Sequence, residues 1–494
     1  MTPAQYQTPQ NTTDTEVFSP KNVLLFLLTG IAVPGILSYV LTVAHEAQVT
    51  AVIIGIIAMM LTLRFPFVGL ILFAGLLYTR PEEVIPPLQG MRFSFIASVL
   101  TLTALTIQKY MDKEKWQAAP SNGLMIAFGV IVVMTAAIGG GDPFGAVQDI
   151  GKLVLLYFIV INLVTTPDKY RVFVSAILLF TFYLACYSIF LYFTGSALKQ
   201  QDFQRSQATG IFGDPNDLAA TIVAGIGMTL TRIVQAKGVM RVYYIALTIF
   251  LIWATLLTNS RGGMLALLVV VGGFVMIYVP GKATALVLAV VLSLGVLKSG
   301  SSRMSEFDTN EESANSRFWF WDTGVQQLKS KPLTGVGYGM FESINGGMTA
   351  HNSYVLCFTE LGVPGYFCWI GCLFYCFRRP IKPDSALPYR NPNRPVFPKP
   401  RALIKPNIAT MDHERIGARL GLAGFLMAAF WISRTYVPIL YLLISIPIAQ
   451  SLICRKPGEL EVAQPQTKYQ DYCRIATISI GSILLIAAIA YKFK

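Results

Sequence analysis

The chain alternates between long apolar blocks and short polar breaks, and most blocks approach the length that crosses a bilayer. Spans are predicted at 23–43, 49–63, 66–79, 93–109, 122–138, 150–164, 171–194, 216–233, 242–258, 263–279, 283–297, 352–377, 416–433, 436–453 and 475–491. The short 49–63 and 66–79 blocks, split by "RFPF", read as two spans or as one re-entrant hairpin. Some blocks are short, so the expected number of transmembrane helices is about 12–15. A membrane β-barrel would instead alternate in segments of roughly ten residues. The pattern therefore predicts an all-α, polytopic helical membrane protein: a polar tail at 1–22 and one membrane domain at 23–494.

The longest break, 298–351, carries structure of its own. Within it "ANSRFWFWDTGVQQLKSKP" has helical spacing at Phe318, Trp321, Val325 and Leu328. Ser313 or Asn315 is the expected cap, and Pro332 follows the end. This amphipathic helix either lies in the membrane interface or packs on neighbouring loops. Downstream, "GVGYG" (335–339) has the look of a potassium filter. It lacks the preceding pore helix and the single flanking spans a filter needs, so it reads as a tight glycine turn that allows close backbone approach.

Composition agrees with the pattern. Of 494 residues, 54% are hydrophobic and 13% charged, against roughly 25% charged in soluble chains. The net charge of +13 is mostly topological, because Lys and Arg collect in cytoplasmic loops, and nucleic acid is not an expected partner. With the N-terminus inside, the inner loops include "QKYMDKEKW", "TTPDKYR", "TRIVQAKGVMR" and the proline-rich 378–415. The tail lacks the basic region of a signal peptide and is expected to be flexible and cytoplasmic. The seven cysteines form no CxxC pair; Cys368, Cys372 and Cys376 share one helix face and suit apolar packing.

The polar residues narrow the chemistry. There is no P-loop, no HExxH and no acidic metal-diphosphate motif within the spans, so no cofactor or metal is expected. Arg205, Arg261, Arg317 and His351 fall on the outer side. Several guanidinium groups together can hold a diphosphate without a metal, although a single arginine at a span end often only reaches for headgroups. His351 begins a span, where the helix N-terminus should favour its neutral, basic form. Its other reading is a ring that only caps the helix or bonds Asn352. Glu360 lies roughly 13 Å further along that helix, so it is expected to pair with a buried basic or hydroxyl group and to be structural.

Four motifs then occur in order: "TGIFGDPNDLAA" (209–220), "LLTNSRGGMLAL" (256–267), "SRFWFWDTGVQQLKSKPLTGVGYGMF" (316–341) and "HNSYVLCFTELGVPG" (351–365). Over residues 200–370 the chain resembles the O-antigen ligase/O-antigen polymerase (Wzy_C-type) superfamily of bacterial membrane glycosyltransferases. The resemblance implies a GT-C-like fold with a large periplasmic loop at 298–351, in the bacterial inner membrane. It implies metal-independent, inverting transfer of a glycan from an undecaprenyl-diphosphate carrier at the periplasmic face. The acceptor would be lipid A-core in a ligase, another lipid-linked glycan in a polymerase, or a protein. His351 matches the family base, and Arg261, Arg317 and Arg205 match its donor-binding arginines. Asn352 and Asn216 are expected to order the loops. A lipid-linked-sugar or polysaccharide transporter, the rival from another class, would use the same cations but needs alternating access, and no inverted repeat is visible.

Overall fold

The computed structural model describes residues 46–195, 198–200, 203–281, 312–378, 410–454 and 465–493, with a few residues between 283 and 291. The tail at 1–22, the span at 23–43, most of the span at 283–297 and the basic stretch 379–409 lie outside these residues.

The described chain is helical apart from one small hairpin. In chain order the helices longer than four residues are α1 (Glu46–Arg64), α2 (Pro66–Thr79), α3 (Phe93–Met111), α4 (Asn122–Ile138), α5 (Pro143–Leu163), α6 (Pro167–Phe193), α7 (Pro215–Gln235), α8 (Gly238–Leu257), α9 (Arg261–Tyr278), α10 (Glu312–Ser330), α11 (Ser353–Phe377), α12 (Thr410–Ala429), α13 (Pro438–Ile453) and α14 (Pro465–Lys492). Among the described residues seven are long and apolar enough to cross a membrane, namely α5 to α9, α11 and the Lys468–Lys492 part of α14. Ile54–Arg64, α4 and α13 are shorter apolar helices. The protein is an all-α polytopic membrane protein. The hairpin pairs Leu198–Gln200 with Phe203–Arg205, antiparallel, with Leu198 opposite Arg205.

Several helices begin earlier than their apolar cores. Asp142, Thr166 and Asp214 each cap a helix whose first residue is proline. Proline has no N–H to lose there and its φ suits the first turn. Hydropathy alone misses these polar first turns.

Small residues set the closest helix contact. A Cβ on Gly227 of α7 would stand 2.3 Å from the Gly421 nitrogen of α12, and one on Gly421 would stand 2.4 Å from the Ala224 carbonyl oxygen. In lipid, such residues let backbones approach where larger side chains would hold them apart. The ends are fixed by polar contacts. Arg232, near the end of α7, lies 3.7 Å from Glu414 at the start of α12. The Tyr278 hydroxyl, ending α9, meets His413 Nδ1 at 2.7 Å, and Arg419 donates to the Arg378 carbonyl, just past α11, at 2.6 Å. So α7, α9 and α11 run one way and α12 returns.

Helix α11 is broken. Gly362 has φ 66° and ψ −172°, and Pro364 follows it. The backbone groups freed at the break are taken up by the glycine turn: Val336 N donates to Thr359 O at 2.8 Å, Gly337 N to Glu360 O at 3.0 Å, and Val363 N to Pro332 O at 2.8 Å. A broken helix survives at membrane depth where protein satisfies it in this way. The "GVGYG" stretch is thus a close backbone crossing; a Cβ on Gly335 would meet the Glu360 carbonyl at 2.4 Å.

Replacing Gly421 by leucine should force α7 and α12 apart. We expect a loss of about 1–3 kcal/mol, read as a lower thermal unfolding midpoint in detergent, whereas Gly151→Leu, with open space around its Cβ, should leave the midpoint near that of the parent.

Candidate active site

At the end of the bundle where α7, α9, α11 and α13 begin, four helix starts are tied together by side chains. Asp214 caps α7, Ser260 caps α9 and Asn352 caps α11. Ser260 donates to Asn216 Oδ1 at 2.7 Å, joining α9 to α7. Ser353 Oγ donates to the Ile432 carbonyl at 2.6 Å and accepts from Arg434 N at 2.7 Å, joining α11 to the α12–α13 connection. Arg434 grips Asp217 of α7 with Nε and Nη2, at 2.6 and 2.5 Å. The partial positive charge of a helix N-terminus favours anions, and here four share one neighbourhood.

His351 stands just before α11, half-buried, with φ 48°. A left-handed histidine costs about 1–3 kcal/mol, so the turn is held by its surroundings. The Ala350 carbonyl, one residue earlier, accepts from Trp321 Nε1 at 3.1 Å. Arg317 precedes Trp321 by one turn of α10, so this bond brings Arg317 to His351. Burial lowers the His351 pKa below the ordinary histidine value; Arg317 and Arg434 lower it further, and Asp214 opposes them. At neutral pH the ring is uncharged and can accept a proton. Burial and these cations replace the helix N-terminus as the cause. Among the described residues the ring has no hydrogen-bond partner. The cap is Asn352, whose Oδ1 accepts from Tyr354 N at 2.9 Å and Val355 N at 3.1 Å; its buried Nδ2 has no hydrogen-bond partner among the described residues.

The expected arginines separate into two kinds. Arg261 and Arg317 are partly exposed, Arg261 as the first residue of α9. Arg205 is only 6% exposed. Its Nε donates to the Thr258 carbonyl and its Nη2 to Asn216 Oδ1, both at 3.0 Å. Arg205, expected among the donor-binding arginines, ties the hairpin to the turn before α9. Asn216 also donates to Asp214 Oδ1 at 2.8 Å.

Two further expectations change. Helix α10 starts by Glu312, so Ser313 and Asn315 lie inside it and do not cap it. Its apolar face packs on protein and not on lipid: Trp321 is fully buried among Phe318, Phe430 and Trp431. Glu360, 2% exposed, accepts from Phe341 N at 3.3 Å and has the Tyr436 hydroxyl beside it. It holds the glycine turn through a backbone amide, where a buried basic or hydroxyl group was the expected partner.

Sequence reading missed Asp214, Asp217 and Arg434. The signal was present: "DPND" puts two acids at the start of a span, and Arg434 occupies a two-residue gap between predicted spans 416–433 and 436–453.

The O-antigen ligase (Wzy_C) family model matches residues 246–370. That segment contains Arg261, Arg317, His351, Asn352 and Glu360, and over it the chain is similar to the O-antigen ligase family. Arg205, Asn216, Asp217 and Arg434 lie outside it. No curated protein and no solved structure matches the chain.

Burial separates the arginines experimentally. Arg205→Gln should cost about 1.5–3 kcal/mol through its lost charged hydrogen bonds, seen as a lower unfolding midpoint. Arg317→Gln, partly exposed, should leave the midpoint close to the parent's; an equal drop in both variants would contradict this placement.

Proposed function

We propose that this protein is a membrane glycosyltransferase that moves a glycan from undecaprenyl diphosphate to an acceptor hydroxyl at the periplasmic face of the bacterial inner membrane. The observation that carries the reading is the neutral, half-buried His351 beside Arg317 and Arg434, where four helix N-termini meet. A family-level role in O-antigen ligase/polymerase-type chemistry comes from the matched segment; the donor, face and mechanism are our inference.

In this reading the acceptor oxygen attacks the anomeric carbon while His351 takes its proton. The bond between that carbon and the phosphate oxygen breaks, and its electron pair leaves with the lipid diphosphate. Arg261 and Arg317 meet the charge that develops there, and fixed donors need no reorganisation at that moment. Attack opposite the leaving group inverts the anomeric centre. These residues carry the reaction without a metal. Arg205, Asn216 and Asn352 keep the turns in place, and Glu360 keeps the glycine turn against α11.

Purified protein in lipid, given undecaprenyl-diphosphate glycan with and without lipid A-core, tests the reading on gels. Product only with lipid A-core is expected of a ligase; longer glycan from donor alone marks a polymerase. His351→Ala should lower transfer by about 10²–10⁴-fold while donor binding persists. Unchanged transfer would remove His351 as the base, and no product under either condition would point to a protein acceptor or to transport.

A further inference from the structure

Arg434 enters the site from the α12–α13 connection, outside the matched family segment. Three of its side-chain N–H groups have partners: Nε and Nη2 on Asp217, and Nη1 on the Ser433 carbonyl at 2.9 Å. A guanidinium has five, so two remain to serve a ligand, and the side chain is 30% exposed while Asp217 is 7% exposed. Asp214 Oδ2 stands 3.8 Å from Nη2. The Asp217 carboxylate grips one edge of the fork and fixes its orientation, so little side-chain freedom is lost when the rest of the fork meets an anion. The field of Arg434 reaches the base, since it is one of the two cations that lower the His351 pKa. It also starts from the same turn that holds Ser353, two residues beyond His351.

We propose that Arg434 is a further anion-binding residue that contacts a phosphate of the lipid diphosphate, with Asp217 as the positioning residue that orients it. This rests on the proposed donor. The charge around the pair supports it. The cations are Arg261, Arg317, Arg434 and the buried Arg205; the acids are Asp214 and Asp217, with Glu342 also acting on Arg434. With His351 neutral, the cluster stays net positive and suits a dianionic diphosphate. A purely structural Arg434–Asp217 clasp would need neither the open N–H groups nor any influence on the base. Lysine cannot reproduce this fork, because it offers a point charge in place of a planar pair of donors.

The test uses the full-length protein in lipid with two readouts, transfer from undecaprenyl-diphosphate glycan and direct binding of undecaprenyl diphosphate. Arg434→Lys keeps the charge but loses the fork. It should raise the donor KM and the Kd for undecaprenyl diphosphate by about 10–100-fold, with the acid limb of the pH–rate profile near its parental position. Arg434→Gln also removes the charge, so the His351 pKa rises and the acid limb moves to higher pH. Asp217→Asn should weaken donor binding less than Arg434→Lys does. Parental KM, Kd and acid limb in all three variants, with only a lowered unfolding midpoint, would overturn the proposal. Should Arg434→Gln fail to fold, Arg434→Lys and Asp217→Asn still decide it. Absence of transfer by the parent protein would sink the proposed function alone, and the binding comparison would still judge Arg434.

Discussion

The glycine-lined contact between α7 and α12 constrains everything at the site. Gly227 and Gly421 bring the two backbones together, and α12 then delivers its exit turn onto the start of α7. That delivery sets Arg434 on Asp217 and passes Ile432 and Thr435 across Ser353, whose carbonyl accepts from Thr435 Oγ1 at 2.7 Å. The first turn of α9 closes the arrangement, because Gly262 leaves room for Trp431 and Gly263 for Ala219. Lipid supplies no hydrophobic drive between helices, so close packing and polar ties must hold this end together.

Burial and the surrounding charges then decide the state of the His351 ring. Burial makes the His351 ring resist taking a proton, and the neighbouring Arg317 and Arg434 guanidinium groups add to that resistance. In the proposed reaction Arg317 and Arg434, which help to lower the His351 pKa, would also meet a departing diphosphate, so basicity and leaving-group stabilisation share two charges. Asp214 moderates the field, and Asp217 fixes one of its sources. Charge at the opposite end of the bundle is spent differently: the buried Arg232 meets Glu414, and Arg378 meets Asp471 at 2.8 Å.

Much of this was legible in the sequence. Apolar blocks mark helices because the bilayer demands length and satisfied backbone, and "GVGYG" announced a close crossing because only glycine permits one. The closeness of Arg317 to His351 could be anticipated, because both lie in motifs that the chain shares with one family. Other features were not. Periodicity shows that α10 has an apolar face but not whether lipid or protein covers it. Residue type does not show that Arg205 is buried and already bonded, since that depends on the Thr258 carbonyl, which lies far along the chain. Arg434 hid in a gap of two residues, and its value depends on Asp217, 217 positions earlier.

Whether a lipid diphosphate docks where the four helices begin is tested by an experimental structure of the protein with undecaprenyl diphosphate bound. The diphosphate should lie among Arg261, Arg317 and Arg434, with His351 within reach of the carbon that would carry the sugar. A diphosphate seated at the opposite end, near Arg232 and Arg378, would contradict it.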